Sequence, residues 1–147
     1  FAVEAIEERL IAKFGNGNYI ILSGQALLDT LNREGIADPR WADPYTLNAA
    51  LLRMRVDYSV RTEILYVTLN QKVALPTVLL FMKTWTATVP LAVCVTDLNN
   101  GIVLYNSTIV ETGSHEAIIG FANQSNAIRV ALDKVLDRLD REVYLPE

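Results

Sequence analysis

Three stretches of alternating side chains limit how this chain can fold more than any other feature of its sequence. From Val56 to Thr68, β-branched and aromatic residues recur with a period of two, which is typical of a β-strand. A second strand is predicted from Thr84 to Thr96 and a third from Ile102 to Glu111. The Asn100-Gly101 pair that precedes the third strand is a strong hairpin signal. The chain is therefore expected to contain a three-stranded antiparallel meander, with a bulge or an edge position at Pro90, since proline cannot donate to a strand ladder.

Helical spacing of apolar residues dominates the rest of the chain. Four helices are expected, bounded by Ser23, Asp43 and Ser125 as N-caps and by Gly35 as a helix stop. They cover Ala2 to Phe14, Gly24 to Glu34, Pro44 to Arg53, and Ser125 to Tyr144. The run Tyr19 to Leu22 has the length and composition of a short strand. We predict an α/β (α+β) fold with a small mixed sheet and about four flanking helices, in a single domain over residues 1–147.

Composition and charge narrow the classes of function. Hydrophobic residues make up 51% of the chain and the formal net charge is -4, without a cluster of Lys and Arg. A nucleic-acid partner is therefore not expected. The single cysteine, Cys94, excludes an internal disulfide and a multi-cysteine zinc site, and its apolar surroundings favour a buried core thiol. Apolar runs are all shorter than a membrane-spanning helix requires.

Motifs of catalysis are absent from the sequence. There is no glycine-rich phosphate loop and no His-Glu-x-x-His pattern, and the single histidine, His115, cannot supply a typical catalytic metal triad. We therefore expect no catalytic residue, no metal and no cofactor. The alternative is a small-ligand or enzymatic α/β domain with polar residues gathered near strand ends, the candidates being Ser23, Asp57, Asp97 and His115.

The segment Val73 to Met82 is an anomaly, because a connection between two strands is usually polar and this one carries no charge over ten residues. Two interpretations stay open. The segment is either buried within the domain or forms an exposed apolar surface for a partner protein or a membrane. The predicted contact residues are of the types that anchor interfaces: Leu75, Val78, Leu79, Leu80, Phe81, Met82 and nearby Trp85.

Trp41 is a further candidate contact residue. It lies in the predicted loop between the second and third helices. A tryptophan in such a loop either covers the core as a lid or anchors a binding partner.

Three segments resemble a known family. They are Leu27 to Ile36, then Leu51 to Val60 with its Val-Asp-Tyr-x-Val entry into the meander, and Leu91 to Tyr105 with its hairpin of valine, acidic residue, turn and hydrophobic run. This pattern, which covers about Glu4 to Leu139, is similar to the domain family of periplasmic bacterial lipoproteins of the CsgG, LpoB and TolB amino-terminal-domain type. That family opens with a strand before its first helix. Here the strand is missing or reduced to Phe1, which leaves open whether residues before Phe1 complete the sheet.

The resemblance implies a non-catalytic accessory role at the cell envelope. We therefore expect a periplasmic, outer-membrane-associated domain of lipoprotein type that works by protein–protein contact or by self-association into oligomers. Contact with the outer membrane itself is a further expectation. The resemblance also singles out the connection over Val73 to Met82, because members of the family differ there.

Overall fold

The residues that the computed structural model describes form four helices and four strands. The backbone is described for residues 1–15, 19–74, 82–118 and 124–146, and the side chains for the same residues except 72–74, 82–83 and 116–118. The elements in chain order are α1 (Ala2–Gly15), α2 (Gly24–Arg33), α3 (Pro44–Arg53), β1 (Tyr58–Ile64), β2 (Thr68–Ala74), β3 (Met82–Asp97), β4 (Ile102–Ile118) and α4 (Gln124–Glu142). The predicted α+β class with an antiparallel meander and four helices is confirmed.

The sheet is built around β3. Both β1 and β2 pair with one side of β3, and β4 pairs with the other. In the β2–β3 ladder the register runs from Thr68 opposite Thr88 to Ala74 opposite Met82. All four strands are antiparallel. The meander predicted from the alternation is therefore present, with its first strand divided into β1 and β2.

The division of the first strand is explained by Pro90. Residues 65–67 separate β1 from β2, and the Leu65 amide donates to the Pro90 carbonyl at 3.0 Å. Proline supplies no amide of its own, so the ladder is interrupted on the facing strand at this level. The predicted edge position of Pro90 is wrong, because Pro90 lies inside β3, the strand with which β1, β2 and β4 all pair. The interruption falls on the neighbouring strand, and a bulge at Pro90 itself stays a prediction.

The turn between β3 and β4 has the predicted chemistry. Gly101 has a φ of +66°, a left-handed conformation that glycine adopts without strain. The Asp97 carboxylate accepts from the Asn100 amide at 3.2 Å and from its side-chain Nδ2 at 2.7 Å. The acidic residue and the Asn-Gly pair together fix the hairpin.

Residues 1–61 and 94–105 form one compact unit, and residues 62–93 and 106–146 form another. The single domain over residues 1–147 stays a prediction. The core of the first unit is a cluster of five buried side chains on α2, α3, the loop after α2 and the β3–β4 turn: Leu31, Ile36, Ala50, Leu51 and Leu98.

The two helices that build this cluster end in the same way. After α2, the Ile36 amide donates to the Leu31 carbonyl at 2.9 Å, and after α3 the Val56 amide donates to the Leu51 carbonyl at 3.0 Å. This is a Schellman motif, in which the apolar residue after the helix packs on the helix's last turn. The left-handed position is Gly35, as the sequence predicts, in the first motif. In the second motif it is Arg55, with a φ of +63°.

The core of the second unit lies under α4. The apolar stripe predicted for this helix is confirmed, and the buried residues are Ala127, Ala131, Leu132, Val135, Leu136 and Leu139. Gly113 of β4 permits a close approach, because a Cβ at this position would overlap the Ala131 amide nitrogen and lie 2.7 Å from the Val130 carbonyl carbon. The backbone of α4 therefore lies directly against β4.

Several predictions at the level of single elements were wrong. Tyr19 to Leu22 forms no strand, and the sheet is antiparallel rather than mixed. The third strand of the meander continues to Ile118 instead of ending at Glu111. Ser23 holds the N-cap position of α2, but its side chain makes no capping hydrogen bond. Cys94 is only half-buried, because Val93 and Val95 face the core and the residue between them points to the opposite side of β3.

Candidate functional site

The loop between α2 and α3 presents two large aromatic side chains to solvent. Trp41 is 84% exposed and Tyr45, in the first turn of α3, is 88% exposed. Both lie in the first unit. The interpretation of Trp41 as a lid over the core is wrong, because a lid would be largely buried. We call Trp41 and Tyr45, with the loop 37–43 that supports them, the aromatic loop.

The aromatic loop is held by a compact set of hydrogen bonds around Asp38. Its carboxylate accepts from the Arg40 amide at 3.0 Å, from Arg40 Nε at 3.1 Å and from Arg40 Nη2 at 2.8 Å. The Asp38 carbonyl accepts from the Trp41 amide at 3.2 Å. The loop backbone at Trp41 is thus fixed by a turn and by a two-pronged ion pair.

The charges of this turn act on each other. The hydrogen bonds from Arg40 hold the pKa of the Asp38 carboxyl below its usual value, and the carboxylate in turn raises the pKa of Arg40. The hydrogen bonds from Arg40 therefore favour the ionised form of Asp38. The pair lies at the surface, so its role is to position the loop and its contribution to overall stability is small.

Both ends of the aromatic loop are anchored. Ile36 belongs to the buried cluster of the first unit, and Ala42 packs against the same cluster. At the start of α3 the Asp43 carboxylate accepts from the Thr46 amide at 3.4 Å, which confirms the predicted N-cap, and Pro44 follows at the first helical position. Trp41 is consequently exposed on a supported segment, and Tyr45 on a capped helix.

This arrangement suits a contact site for another protein. Tryptophan, tyrosine and arginine are the residues that most often carry the binding energy of an interface. A loop that is already ordered loses less conformational entropy on binding than a flexible one. The aromatic loop therefore offers large apolar side chains with part of the ordering cost already met by its own hydrogen bonds.

The predicted contact residues in the apolar connection lie mostly outside the described residues. These are Leu75, Val78, Leu79, Leu80 and Phe81. Met82 begins β3, but its side chain is not described. Trp85 is half-buried in β3 and stands opposite Gln71 of β2. Contact through this segment stays a prediction.

Two of the four polar residues of the alternative ligand site, Asp57 and Asp97, serve as turn residues. Asp57 accepts from Asn99 Nδ2 at 2.9 Å, and its carbonyl accepts from the Leu98 amide at 2.9 Å. Together with Asp97 it fixes the β3–β4 turn. In the second unit, His115 Nε2 lies 3.4 Å from Asn126 Nδ2 at the start of α4. Asp57 and Asp97 are thus brought together by their structural role in the hairpin.

The phenol of Tyr58 responds to the negative charges of this turn. Partial burial, reinforced by the negative charge of Asp97, raises the pKa of the Tyr58 phenol. Its ring lies edge-on to Tyr19, with 6.0 Å between the ring centroids. These surroundings therefore favour the neutral phenol, and the Tyr58 ring acts as a packing residue against Tyr19.

Within residues 1–15, 19–74, 82–118 and 124–146, no group of three or more His, Cys, Asp or Glu side chains is arranged to hold a metal ion. None of the helices in these ranges is long and apolar enough to cross a membrane.

The sequence did not single out Tyr45 as a contact residue. It stands next to Pro44 at the start of a predicted helix, and the helical pattern alone does not state which face of the first turn is covered. Its position four residues after Trp41 was the available signal. No family model matches the chain, and no curated protein sequence matches it.

Proposed function

We propose that this chain is a non-catalytic accessory domain of the bacterial cell envelope, of periplasmic lipoprotein type, which acts by protein–protein contact or oligomeric assembly at the outer membrane. The observation that carries the contact function is the aromatic loop, where Trp41 is 84% exposed on a braced backbone. The assignment to the envelope is supported by the sequence resemblance over Glu4 to Leu139.

The binding mechanism is burial of the two aromatic side chains in a partner. A tryptophan or tyrosine side chain removes roughly 150–250 Å² from water when fully buried. At about 25 cal/mol per Å², each contributes roughly 4–6 kcal/mol before the costs of association. Arg40 stays paired with Asp38 in the free protein, so its guanidinium is held in place next to Trp41.

The apolar connection is proposed as a second contact surface. It joins the ends of β2 and β3, whose ladder closes with Ala74 opposite Met82. Support for this surface comes from its composition, which lacks any charge from Val73 to Met82. A partner protein or the outer membrane would cover it by the same burial of apolar area.

Site-specific crosslinking in the envelope fraction tests the contact function. A photo-crosslinking amino acid is placed at Tyr45 in one variant and at Tyr66 in a matched control, since Tyr66 is also a largely exposed tyrosine (78%) but lies between β1 and β2. The proposal expects one discrete adduct from position 45, its loss when Trp41→Ala is added, and no such adduct from position 66. Equal adducts at both positions, or an adduct that is insensitive to Trp41→Ala, would contradict it.

A further inference from the structure

One apolar segment of the first unit has the residues of a strand but pairs with no strand among the described residues. Ile20, Ile21 and Leu22 are all exposed, and Ile20 fully so. None of their backbone groups takes part in a hydrogen bond with any residue that the structure describes. Backbone groups of apolar, β-branched residues are normally paired in a ladder. We call Ile20–Leu22 the unpaired strand.

Both ends of the unpaired strand are fixed. The Tyr19 ring lies edge-on to Phe14 of α1, with 6.5 Å between centroids, and to Tyr58 of β1. At the other end, the Ser23 carbonyl accepts from the Leu27 amide in the first turn of α2. The segment is therefore held between two anchored points, and the Ile20 side chain within it is fully exposed.

A second exposed apolar segment lies at the start of β4 in the same unit. Ile102 and Val103 are each 54% exposed, and Leu104 is exposed as well. Successive strand residues point to opposite faces, so three exposed residues in a row leave both faces of the strand uncovered. β4 is also the outermost described strand on its side of β3. We call Ile102–Leu104 the open edge.

Farther along the same strand, α4 covers the carbonyl groups. Arg138 Nη1 donates to the Val110 carbonyl at 3.2 Å, and Lys134 Nζ donates to the Thr112 carbonyl at 3.0 Å. Lysine and arginine at a sheet edge block pairing with another chain. At the open edge, no side chain of the described residues makes a corresponding bond.

We infer that the unpaired strand of one copy adds to the open edge of a second copy and extends its sheet by one strand. If the unpaired strands of two copies paired with each other, they would form an isolated two-stranded ribbon, whose stability in water is marginal. The open edge, by contrast, belongs to an existing four-stranded sheet. Addition to the open edge therefore completes a larger sheet and is the favoured arrangement.

Charge also favours a second copy as the occupant. No charged residue occurs from Phe14 to Leu28 or from Leu98 to Val110. Two copies that each carry a net charge of -4 can thus meet along these segments without like charges facing each other. Because the two surfaces differ, the contact is head-to-tail and generates a ring or an open chain of copies.

This inference rests on the proposed function, because it identifies the surfaces used for self-association. It uses surfaces other than the aromatic loop, so self-association and partner binding can be tested independently of each other. Trp41→Ala is expected to leave the oligomer intact while removing the crosslinked adduct. An oligomer without an adduct, or an adduct from a monomeric chain, would distinguish the two proposals.

Light scattering on a size-exclusion column tests the inference with the full chain and two variants, Ile20→Asp and Val103→Asp. The parent is expected to form oligomers, and each variant to be a folded monomer by circular dichroism. An equimolar mixture of the two variants is expected to form a dimer, because the intact strand of Val103→Asp still fits the intact edge of Ile20→Asp. This complementation also shows that both variants are folded.

Val3→Asp is the matched control, since Val3 is an exposed apolar residue of α1 that belongs to neither segment, and it should leave the oligomer unchanged. A parent that is monomeric at all concentrations overturns the inference. So does loss of the oligomer in Ile20→Asp alone, which would indicate self-pairing of the unpaired strand. A mixture that stays monomeric, or oligomers that persist in both variants, overturns it as well.

Discussion

Arg55 and Gly35 occupy the same left-handed position in the two Schellman motifs. We expect substitutions at these two positions to change the free energy of unfolding in opposite directions. Arg55→Gly is expected to raise the free energy of unfolding, and Gly35→Ala to lower it. A residue other than glycine in the left-handed region costs about 1–2 kcal/mol. Glycine offsets roughly 0.4–1 kcal/mol of this through its larger freedom in the unfolded chain. The net change is therefore about 0.5–1 kcal/mol in each direction.

At both positions the side chain contributes little, so the substitutions report mainly on backbone strain. A Cβ added at Gly35 meets no atom within 4 Å, so Gly35→Ala changes backbone strain without a steric clash. The Arg55 side chain is exposed and makes no hydrogen bond or ion pair with the residues that the structure describes. Its removal therefore takes away no such contact, and the backbone term remains.

Urea unfolding of the parent, Arg55→Gly, Gly35→Ala and the control Arg55→Ala measures these changes. Arg55→Ala keeps the left-handed strain and is expected to unfold close to the parent. In thermal unfolding, 1 kcal/mol moves the midpoint by about 2–4 °C for a chain of this size. If Arg55→Gly were no more stable than Arg55→Ala, strain at this position would not be the explanation.

Three further substitutions test other contacts. Gly113→Ala is expected to lower the free energy of unfolding by about 1–3 kcal/mol, because the backbone of α4 must move, and an unchanged midpoint in urea would contradict that contact. Arg40→Ala is expected to raise the pKa of Asp38 towards its ordinary value, as measured in a carboxyl titration by NMR. In the parent, the ion pair is present at pH values above the ordinary pKa of an aspartate, and it is lost only as the pH falls through the lowered pKa of Asp38. Asp97→Asn is expected to lower the raised pKa of Tyr58 part of the way, since burial remains, as measured by NMR titration of the phenol. The stabilisation associated with the neutral phenol is present below the ordinary pKa and is lost as the pH rises through the raised one, so an unshifted titration in Asp97→Asn would exclude the carboxylate as a cause.

The candidate site was only partly predictable from sequence. The loop of Trp41 and the cap at Asp43 follow from local residue chemistry, since an Asp-Pro pair before a helical pattern is a short-range signal. Whether Trp41 covers the core or faces solvent depends on how α2 and α3 pack, and the sequence left both possibilities open. The cluster of Leu31, Ile36 and Leu51 fills that core, so the tryptophan remains outside.

Local periodicity by itself determined the four helices, the meander and the turn at Gly101, because these depend on residues within a few positions of one another. Tertiary structure decided what depends on distant partners. The run Tyr19 to Leu22 has strand composition, yet a strand exists only where another backbone pairs with it, and the described residues supply none. Glycine at position 113 is typical of a loop, yet Gly113 lies within β4. The backbone of α4 approaches the sheet at this position, where a side chain would not fit.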